Sequence, residues 1–277
     1  MSAIQRSLAT LTCCLSCTAV LGLGPAAHAS PAIALRPASA PVPEAVPPLP
    51  PAGPLDVQLV LDDGAGEGSV GVTQGAGARQ FLWFNRFQAP AAFELEQIWV
   101  LFPADPALAA GLTIDLVVFH DPDGDPTNGA TFLAAATETI QVVDGVTFSI
   151  YDLAPTVAIP AGGDVLLGVV NRFVTSGVSP PSFPAALDTT ASQMRSWVAT
   201  WSGDPPNPPA LPPDGTLALV DSFPGLGGNW MIRGLGSMAP SALEIPALGL
   251  PGLLALAAGL ALVGLLRVRG GKEEVPP

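Results

Sequence analysis

The chain has 277 residues, with 10 Lys and Arg against 23 Asp and Glu, and a formal net charge of −13. Nucleic acid is not expected as a partner, because its binding depends on Lys and Arg side chains that displace counterions from phosphates. The three cysteines, Cys13, Cys14 and Cys17, all lie close to the N-terminus. The rest of the chain must therefore be stable through its apolar core, without disulfides.

The N-terminus has the three parts of a secretory signal peptide. Arg6 supplies the positive region, residues 8–23 form the apolar region, and Ala27-His28-Ala29 is a small-x-small cleavage site before Ser30. We therefore predict a signal peptide over 1–29, read by the secretion machinery, and a mature N-terminus at Ser30. The alternative is a buried N-terminal helix.

Residues 30–54 are rich in proline and alanine, with nine prolines between positions 31 and 54. Proline fixes the backbone torsion φ and removes an amide donor, so such a segment favours an extended, polyproline-like chain. We predict a semi-rigid linker over 30–54.

Residues 55–240 predict an all-β domain, a jelly-roll-like antiparallel β-sandwich. Short apolar or alternating segments recur between clusters of Gly, Pro, Asp and Asn, which is the pattern of a sandwich or jelly roll. Residues 165–170 are apolar on both faces and are expected in a central strand, whereas 132–139 suits either a helix or a strand. The predicted strands are 55–61, 68–74, 80–87, 93–102, 112–119, 146–153, 156–159, 165–172, 194–201, 216–222 and 229–235.

Several short motifs between residues 81 and 236 strengthen the predicted fold. They are Phe84-Asn85-Arg86-Phe87, Asp121-Pro-Asp-Gly-Asp-Pro126, Gly168-Val-Val-Asn-Arg172, Asp188-Thr-Thr190, Arg195-Ser-Trp-Val-Ala199 and Trp230-Met-Ile-Arg233. This stretch resembles a jelly-roll β-sandwich module of exported bacterial surface proteins. The resemblance implies the fold and assigns no catalytic residue.

The C-terminal region predicts one transmembrane helix. Residues 245–266 carry no charge, and Arg267, Arg269 and Lys272 follow directly. About twenty apolar residues span the hydrocarbon core of a bilayer, and basic residues remain on the cytoplasmic side. We therefore predict a sorting motif and transmembrane helix over 241–266, a basic cytoplasmic tail over 267–277, and the β-domain outside the membrane.

The start of this helix carries a second resemblance. Ile245, Pro246, Ala247, Leu248 and Gly249, followed by a Leu/Ala/Gly helix and Arg-x-Arg, resemble the IPTL-type C-terminal sorting signals, relatives of the PEP-CTERM signals of Gram-negative bacteria. The resemblance implies recognition by an exosortase-class sorting peptidase. Two outcomes stay open: the helix anchors the protein in the membrane, or it is removed and the protein is sorted to the cell surface.

One loop motif suggests a metal site. Asp121, Asp123 and Asp125 alternate around Gly124, and Asn128 follows. Oxygen ligands at alternate positions of a tight loop can converge on calcium, as they do in part of an EF-hand loop. The alternative is a polar hairpin loop built from turn-forming residues.

Two aromatic residues suggest a ligand surface. Trp197 and Trp201 lie four residues apart on the same face of one predicted strand. If exposed, the two rings would form a stacking platform for an extracellular polysaccharide; if buried, they belong to the core.

We find no catalytic constellation in the sequence. Beyond the signal peptide the single histidine is His120, too few for a zinc site made of His and Cys, and no Gly-x-Ser-x-Gly elbow occurs. We predict an exported, membrane-anchored or sorted cell-surface protein with a non-catalytic structural or adhesive domain. The alternatives are a carbohydrate-binding module and a secreted hydrolase using paired carboxylates such as Glu94 and Glu96.

Overall fold

A computed structural model describes residues 32–37, 57–73, 79–175 and 179–238. The described chain is all-β, as predicted, and contains one short 3₁₀ turn at Val220–Ser222. The strands are β1 Ile33–Pro37, β2 Val57–Leu59, β3 Gly68–Val72, β4 Leu82–Gln88, β5 Phe93–Leu101, β6 Thr113–Asp121, β7 Thr131–Thr139, β8 Phe148–Ile159, β9 Asp164–Asn171, β10 Ala185–Asp188, β11 Ser196–Ala199, β12 Leu217–Leu219, β13 Asn229–Trp230 and β14 Ile232–Met238.

The strands form three sheets in which every pairing is antiparallel. The largest sheet has six strands in the order β12-β11-β4-β9-β6-β7. A four-stranded sheet has the order β2-β14-β5-β8, and a second one has the order β1-β3-β10-β13. Consecutive strands such as β4 and β5, or β8 and β9, lie in different sheets, so the chain crosses repeatedly between them.

One apolar cluster joins the inner faces of these sheets. It contains Trp83 and Leu167 of the six-stranded sheet, Leu95 and Ile98 of β5, and Leu187 of β10. The close approach of β9 and β14 explains one glycine: a Cβ added to Gly234 would lie 2.6 Å from Leu167 Cδ1. A larger side chain at this position would therefore force the side chains of Leu167, Leu59 and Leu95 to shift.

The outer face of the six-stranded sheet is covered as well. Leu82, Phe84, Val117 and Phe119 form a second apolar cluster there, and Leu211 of the proline-rich segment before β12 packs on it. As a result every residue of β9 is buried. This confirms the prediction that 165–170 form a central strand buried on both faces.

A buried asparagine ties the sheets together. Asn85 of β4 is fully buried, and its Nδ2 donates to the backbone oxygens of Trp230, at 2.8 Å, and Ile232, at 3.1 Å. Its Oδ1 accepts a hydrogen bond of 2.7 Å from Ser196 Oγ, which itself accepts from Trp230 N. One side chain thus links β4, β11, β13 and β14.

Two segments form strands although the sequence analysis left one open and assigned the other to a linker. Residues 132–139 form strand β7, where Ala134 and Ala136 pair with β6. Residues 33–37, inside the range predicted as linker, form β1 and pair with β3. This corrects the linker prediction for that part, since Ile33 to Arg36 contain no proline and Pro37 ends an edge strand, where proline is tolerated.

Within the described residues, no helix is long and apolar enough to cross a membrane. The predicted signal peptide and the predicted helix over 245–266 lie outside the described residues, as do most of the linker and the sorting residues Ile245, Pro246, Ala247, Leu248 and Gly249.

Candidate functional site

The loop between β6 and β7 carries the carboxylates predicted to bind calcium. Asp123 and Asp125 are exposed and are used in tight turns: Asp123 Oδ1 accepts from Asp125 N at 3.1 Å, and Asp125 Oδ1 accepts from Thr127 N at 3.0 Å. Asn128 donates its Nδ2 to Asp123 Oδ2 at 2.7 Å. Asn128 thus directs a donor, not a ligand oxygen, towards Asp123. Asp125 is likewise bonded to its own turn.

Asp121 differs from the other carboxylates because it is fully buried. Its Oδ1 accepts a hydrogen bond of 3.1 Å from Gly124 N, whereas its Oδ2 accepts from no donor. Burial, together with a hydrogen bond to Asp123 and repulsion from Asp123 and Asp164, raises the pKa of Asp121 to about 6. The pKa of Asp123 is lowered, chiefly by the hydrogen bond from Asn128.

A charged pocket of about 490 Å³ lies beside this loop, lined by Asp123, Gly124, Asp164, Arg86 and Arg195 among others. Arg86 Nε lies 3.0 Å from Asp164 Oδ2, an ion pair without hydrogen-bond alignment, and Arg195 Nη1 lies 3.7 Å from Asp164 Oδ1. Arg86 also donates through Nη1 to the Gly124 oxygen. The two arginines therefore neutralise Asp164 and hold the loop against the end of β9.

His120, directly before the loop, is bonded to the backbone. Its Nε2 lies 2.8 Å from the oxygen of Gly162, so the ring fixes the β8–β9 turn next to the pocket. This contact with a backbone carbonyl has a structural role.

A second acidic group was not found by sequence reasoning. In the described part of the chain, one set of three or more His, Cys, Asp or Glu side chains has all its ligand atoms within 4.8 Å of one another: Asp63, Glu67 and Asp188. Asp188 Oδ2 accepts from Asp63 N at 3.1 Å and from Asn229 Nδ2 at 3.3 Å, so the carboxylate is held by neutral donors. Calcium prefers hard oxygen ligands, so three carboxylates this close together suit calcium.

No local sequence pattern predicts this second acidic group, because Asp63 and Asp188 are 125 residues apart in sequence. They meet because β3 pairs with β10, which brings the turn before β3 to the end of β10. The only local signals were Asp62-Asp63-Gly64 and Asp188-Thr189-Thr190, both of which read as ordinary turns.

Trp197 lies in β11, whereas Trp201 lies two residues beyond the end of that strand, and both are half-buried. They pack on the outer apolar cluster of the six-stranded sheet. The Trp197 ring stacks on Phe84 with a centroid distance of 6.4 Å and an interplanar angle of 10°. The packing therefore corresponds to the alternative in which these rings contribute to a core.

A different tryptophan lies on the outer face of the sheet formed by β2, β14, β5 and β8. Trp99 alternates with the fully buried Ile98 and Val100 and is half-buried. Its Nε1 donates to Gln97 Oε1 at 3.0 Å, and Gln97 Nε2 donates to the exposed Asp152 Oδ1 at 2.7 Å. The ring also packs on a third apolar cluster, with the Phe148 ring at a centroid distance of 6.2 Å. An indole beside a hydrogen-bonded amide and carboxylate combines the apolar and polar groups that contact sugars.

The carboxylates considered for hydrolysis are bonded to neighbouring strands. Glu94 Oε2 accepts from Thr156 Oγ1 of β8 at 3.1 Å, and Glu96 Oε1 accepts from Ser237 Oγ of β14 at 2.6 Å. The two side chains therefore contact strands on opposite sides of β5.

The chain matches no protein-family model, and no curated protein matches it.

Proposed function

We propose that this protein is exported and held at the cell surface, and that its β-domain is a non-catalytic structural or adhesive jelly-roll sandwich. The observation that carries the proposal is the order of segments in the sequence: an N-terminal stretch with the pattern of a secretory signal, an acidic domain whose described residues are all-β, and an apolar stretch followed by basic residues.

The jelly-roll assignment is supported by the connections between sheets. From β3 to β13, successive strands alternate between the six-stranded sheet and its four-stranded neighbours, except for the pairs β6–β7 and β11–β12, as in sandwiches built from Greek keys. A domain of this size, with fully buried Trp83, Trp230 and Phe119, fits a cysteine-free extracellular chain that relies on its core.

The proposed partners are the secretion machinery, the membrane and an exosortase-class peptidase acting near Ile245-Pro246. The test is mass spectrometry of the C-terminal peptide from the fractionated native host. If the tail is a sorting signal, the mature chain ends close to residue 245 and leaves the inner membrane. If the helix is only an anchor, the chain keeps Lys272 and stays in the membrane fraction. A full-length chain in the soluble fraction would contradict both versions.

The second candidate function is a carbohydrate-binding module, favoured by Trp99 with Gln97 and Asp152. A glycan array probed with the purified protein tests it, with Trp99→Ala and Trp201→Ala as matched aromatic truncations. Loss of binding in Trp99→Ala alone would place the sugar on the outer face of the β5 sheet. Loss in Trp201→Ala alone would place it at the predicted Trp197/Trp201 platform. No binding by the wild-type protein would leave the structural or adhesive role.

A further inference from the structure

We propose that the charged pocket binds the carboxylate of an acidic sugar, a uronate residue of an extracellular polysaccharide, through Arg195 and Arg86. The first observation is the way in which arginines of the described chain are paired. Three of them each contact a carboxylate of their own at 2.5–2.7 Å: Arg36 with Asp105, Arg172 with Asp115, and Arg233 with Asp62. Arg86 and Arg195 instead share one carboxylate, that of Asp164, at 3.0 and 3.7 Å. Together these last three side chains keep one positive charge at the pocket wall.

Arg195 has hydrogen-bonding capacity that the fold does not use. A guanidinium has five N–H donors, and within the described residues Arg195 donates one hydrogen bond, from Nη1 to the oxygen of Arg86 at 3.2 Å. Its 3.7 Å contact with Asp164 is too long for a hydrogen bond. Arg172, by contrast, donates four hydrogen bonds to side chains and backbone oxygens. Because the Arg195 side chain lines the pocket and is only 25% exposed, its remaining donors indicate an acceptor there.

The backbone fixes Arg195 beside the pocket. Arg86 N donates to the oxygen of Arg195 at 2.9 Å, and β11 pairs with β4 from the next residue onwards. Met194, directly before Arg195, has a φ of 57°, a left-handed conformation that is uncommon for residues other than glycine. Such conformations persist where the surrounding structure imposes them, and they cluster at functional sites. The Arg195 backbone is therefore held in place before a ligand arrives, which lowers the entropy cost of binding.

The charges around the pocket favour a carboxylate over a phosphate. The planar guanidinium fork matches either group with two parallel hydrogen bonds. A carboxylate carries one negative charge, which balances the one positive charge left by Arg86, Arg195 and Asp164. A phosphate carries more, and the exposed carboxylate of Asp123, which lines the same pocket, would repel the additional charge.

The other lining groups suit the ring of a sugar. Gln88 lies two residues after Arg86 on β4, is exposed, and offers an amide donor and an amide acceptor to the pocket. A hydroxyl both donates and accepts, so neighbouring hydroxyls of one ring can bond to both groups of Gln88. Pro90 and Pro122 add apolar surface, and about 490 Å³ is a usual volume for a small-molecule site. A uronate combines the carboxylate and the hydroxyls in one ring, whereas an acidic peptide side chain lacks the hydroxyls.

The inference rests on the proposed adhesive role of the domain, for which it names the ligand. The test is calorimetric titration of the purified full chain, in mild detergent, with an oligogalacturonate. The comparison ligands are the neutral galactose oligomer of the same length, sodium acetate and inorganic phosphate. For one uronate residue, we expect a dissociation constant on the order of 1 mM. The three comparison ligands should bind weaker by on the order of tenfold or more, because each lacks either the carboxylate or the hydroxyls.

Three variants locate the binding site. Arg195→Gln removes the guanidinium and should weaken oligogalacturonate binding by on the order of tenfold or more. Arg195→Lys keeps the charge but loses the planar fork, so its loss should be smaller. Arg36→Gln removes an arginine that does not line the pocket and should bind as the wild type does. The thermal unfolding midpoint of each variant shows whether it is folded, and Arg195→Lys remains informative if Arg195→Gln is not.

Three results would overturn the proposal: no saturable binding of oligogalacturonate by the wild type, equal affinity for any of the comparison ligands, or unchanged affinity in the folded Arg195 variants. In the last case, loss of binding in Trp99→Ala would place the sugar on the outer face of the β5 sheet. Binding to purified protein does not depend on where the cell places it, so this test and the localisation test fail independently.

Discussion

Replacing Asn85 should destabilise the domain more than any exposed substitution, because its side chain joins four strands. In Asn85→Ala, the backbone oxygens of Trp230 and Ile232 lose a donor and the Ser196 hydroxyl loses its acceptor, and all three residues are fully buried. Each unpaired buried group costs about 1–3 kcal/mol. Allowing for partial relaxation, we expect the free energy of unfolding to fall by about 4 kcal/mol.

Urea denaturation followed by circular dichroism measures this loss. For a domain of this size, about 4 kcal/mol corresponds to a fall of roughly 10 °C in Tm. Asn85→Leu nearly conserves the volume and isolates the hydrogen bonds, so it should cost about as much as Asn85→Ala. Gln58→Leu makes the same chemical change at an exposed strand position and should stay within about 0.5 kcal/mol of wild type. If Asn85→Leu were as stable as Gln58→Leu, the hydrogen bonds of Asn85 would contribute nothing to the free energy of unfolding, which would refute the prediction.

Three further predictions concern the pocket, the central strand and the C-terminal helix. Between pH 4 and pH 6, the raised pKa of Asp121 means that the folded state keeps a proton that the unfolded chain has lost. The contribution of Asp121 to stability should therefore fall over this range by at most about 3 kcal/mol, and Asp121→Asn should lack that contribution in pH-dependent urea titrations compared with the wild type. In Gly168→Ala, the new Cβ would lie 2.6 Å from Leu82 Cδ1 and 2.8 Å from Phe84 Cβ. Urea denaturation should therefore show that the free energy of unfolding falls by about 1–3 kcal/mol. Wild-type stability in this variant would mean that β4 shifts at no cost. Leu256→Arg should release the protein from washed membranes, since arginine at a helix centre costs about 2.5–3.5 kcal/mol, and unchanged retention would rule out 245–266 as the anchor.

The strands that the sequence predicted are those whose side chains carry a local period. Ile114, Leu116 and Val118 alternate with residues of the other face, and 165–170 are apolar throughout, so both segments were recognisable without tertiary information. Strand β10 was missed because Ala185–Asp188 is only four residues long and follows a proline-rich stretch. Its pairing with β3 and β13, not its own composition, makes it a strand.

The candidate sites depended even more on long-range contacts. The sequence located the Asp121–Asp125 loop, but burial of Asp121 depends on how the loop packs against β9 and Arg86. The sequence also did not show that Asn128 would donate to Asp123. It also predicted that Trp197 and Trp201 share a strand face, but could not show that both rings pack on an apolar cluster that includes Leu211. The acidic group at Asp188 and the Trp99 face arise from strand pairing, which one sequence does not reveal.

N-terminal sequencing of the protein recovered from the host membrane fraction tests the central claim of an exported, surface-held domain most directly. A chain that crosses the membrane through the secretion machinery loses residues 1–29, so the account predicts a mature protein that begins at Ser30. A protein that still begins at Met1, recovered from the cytoplasmic fraction, would contradict it.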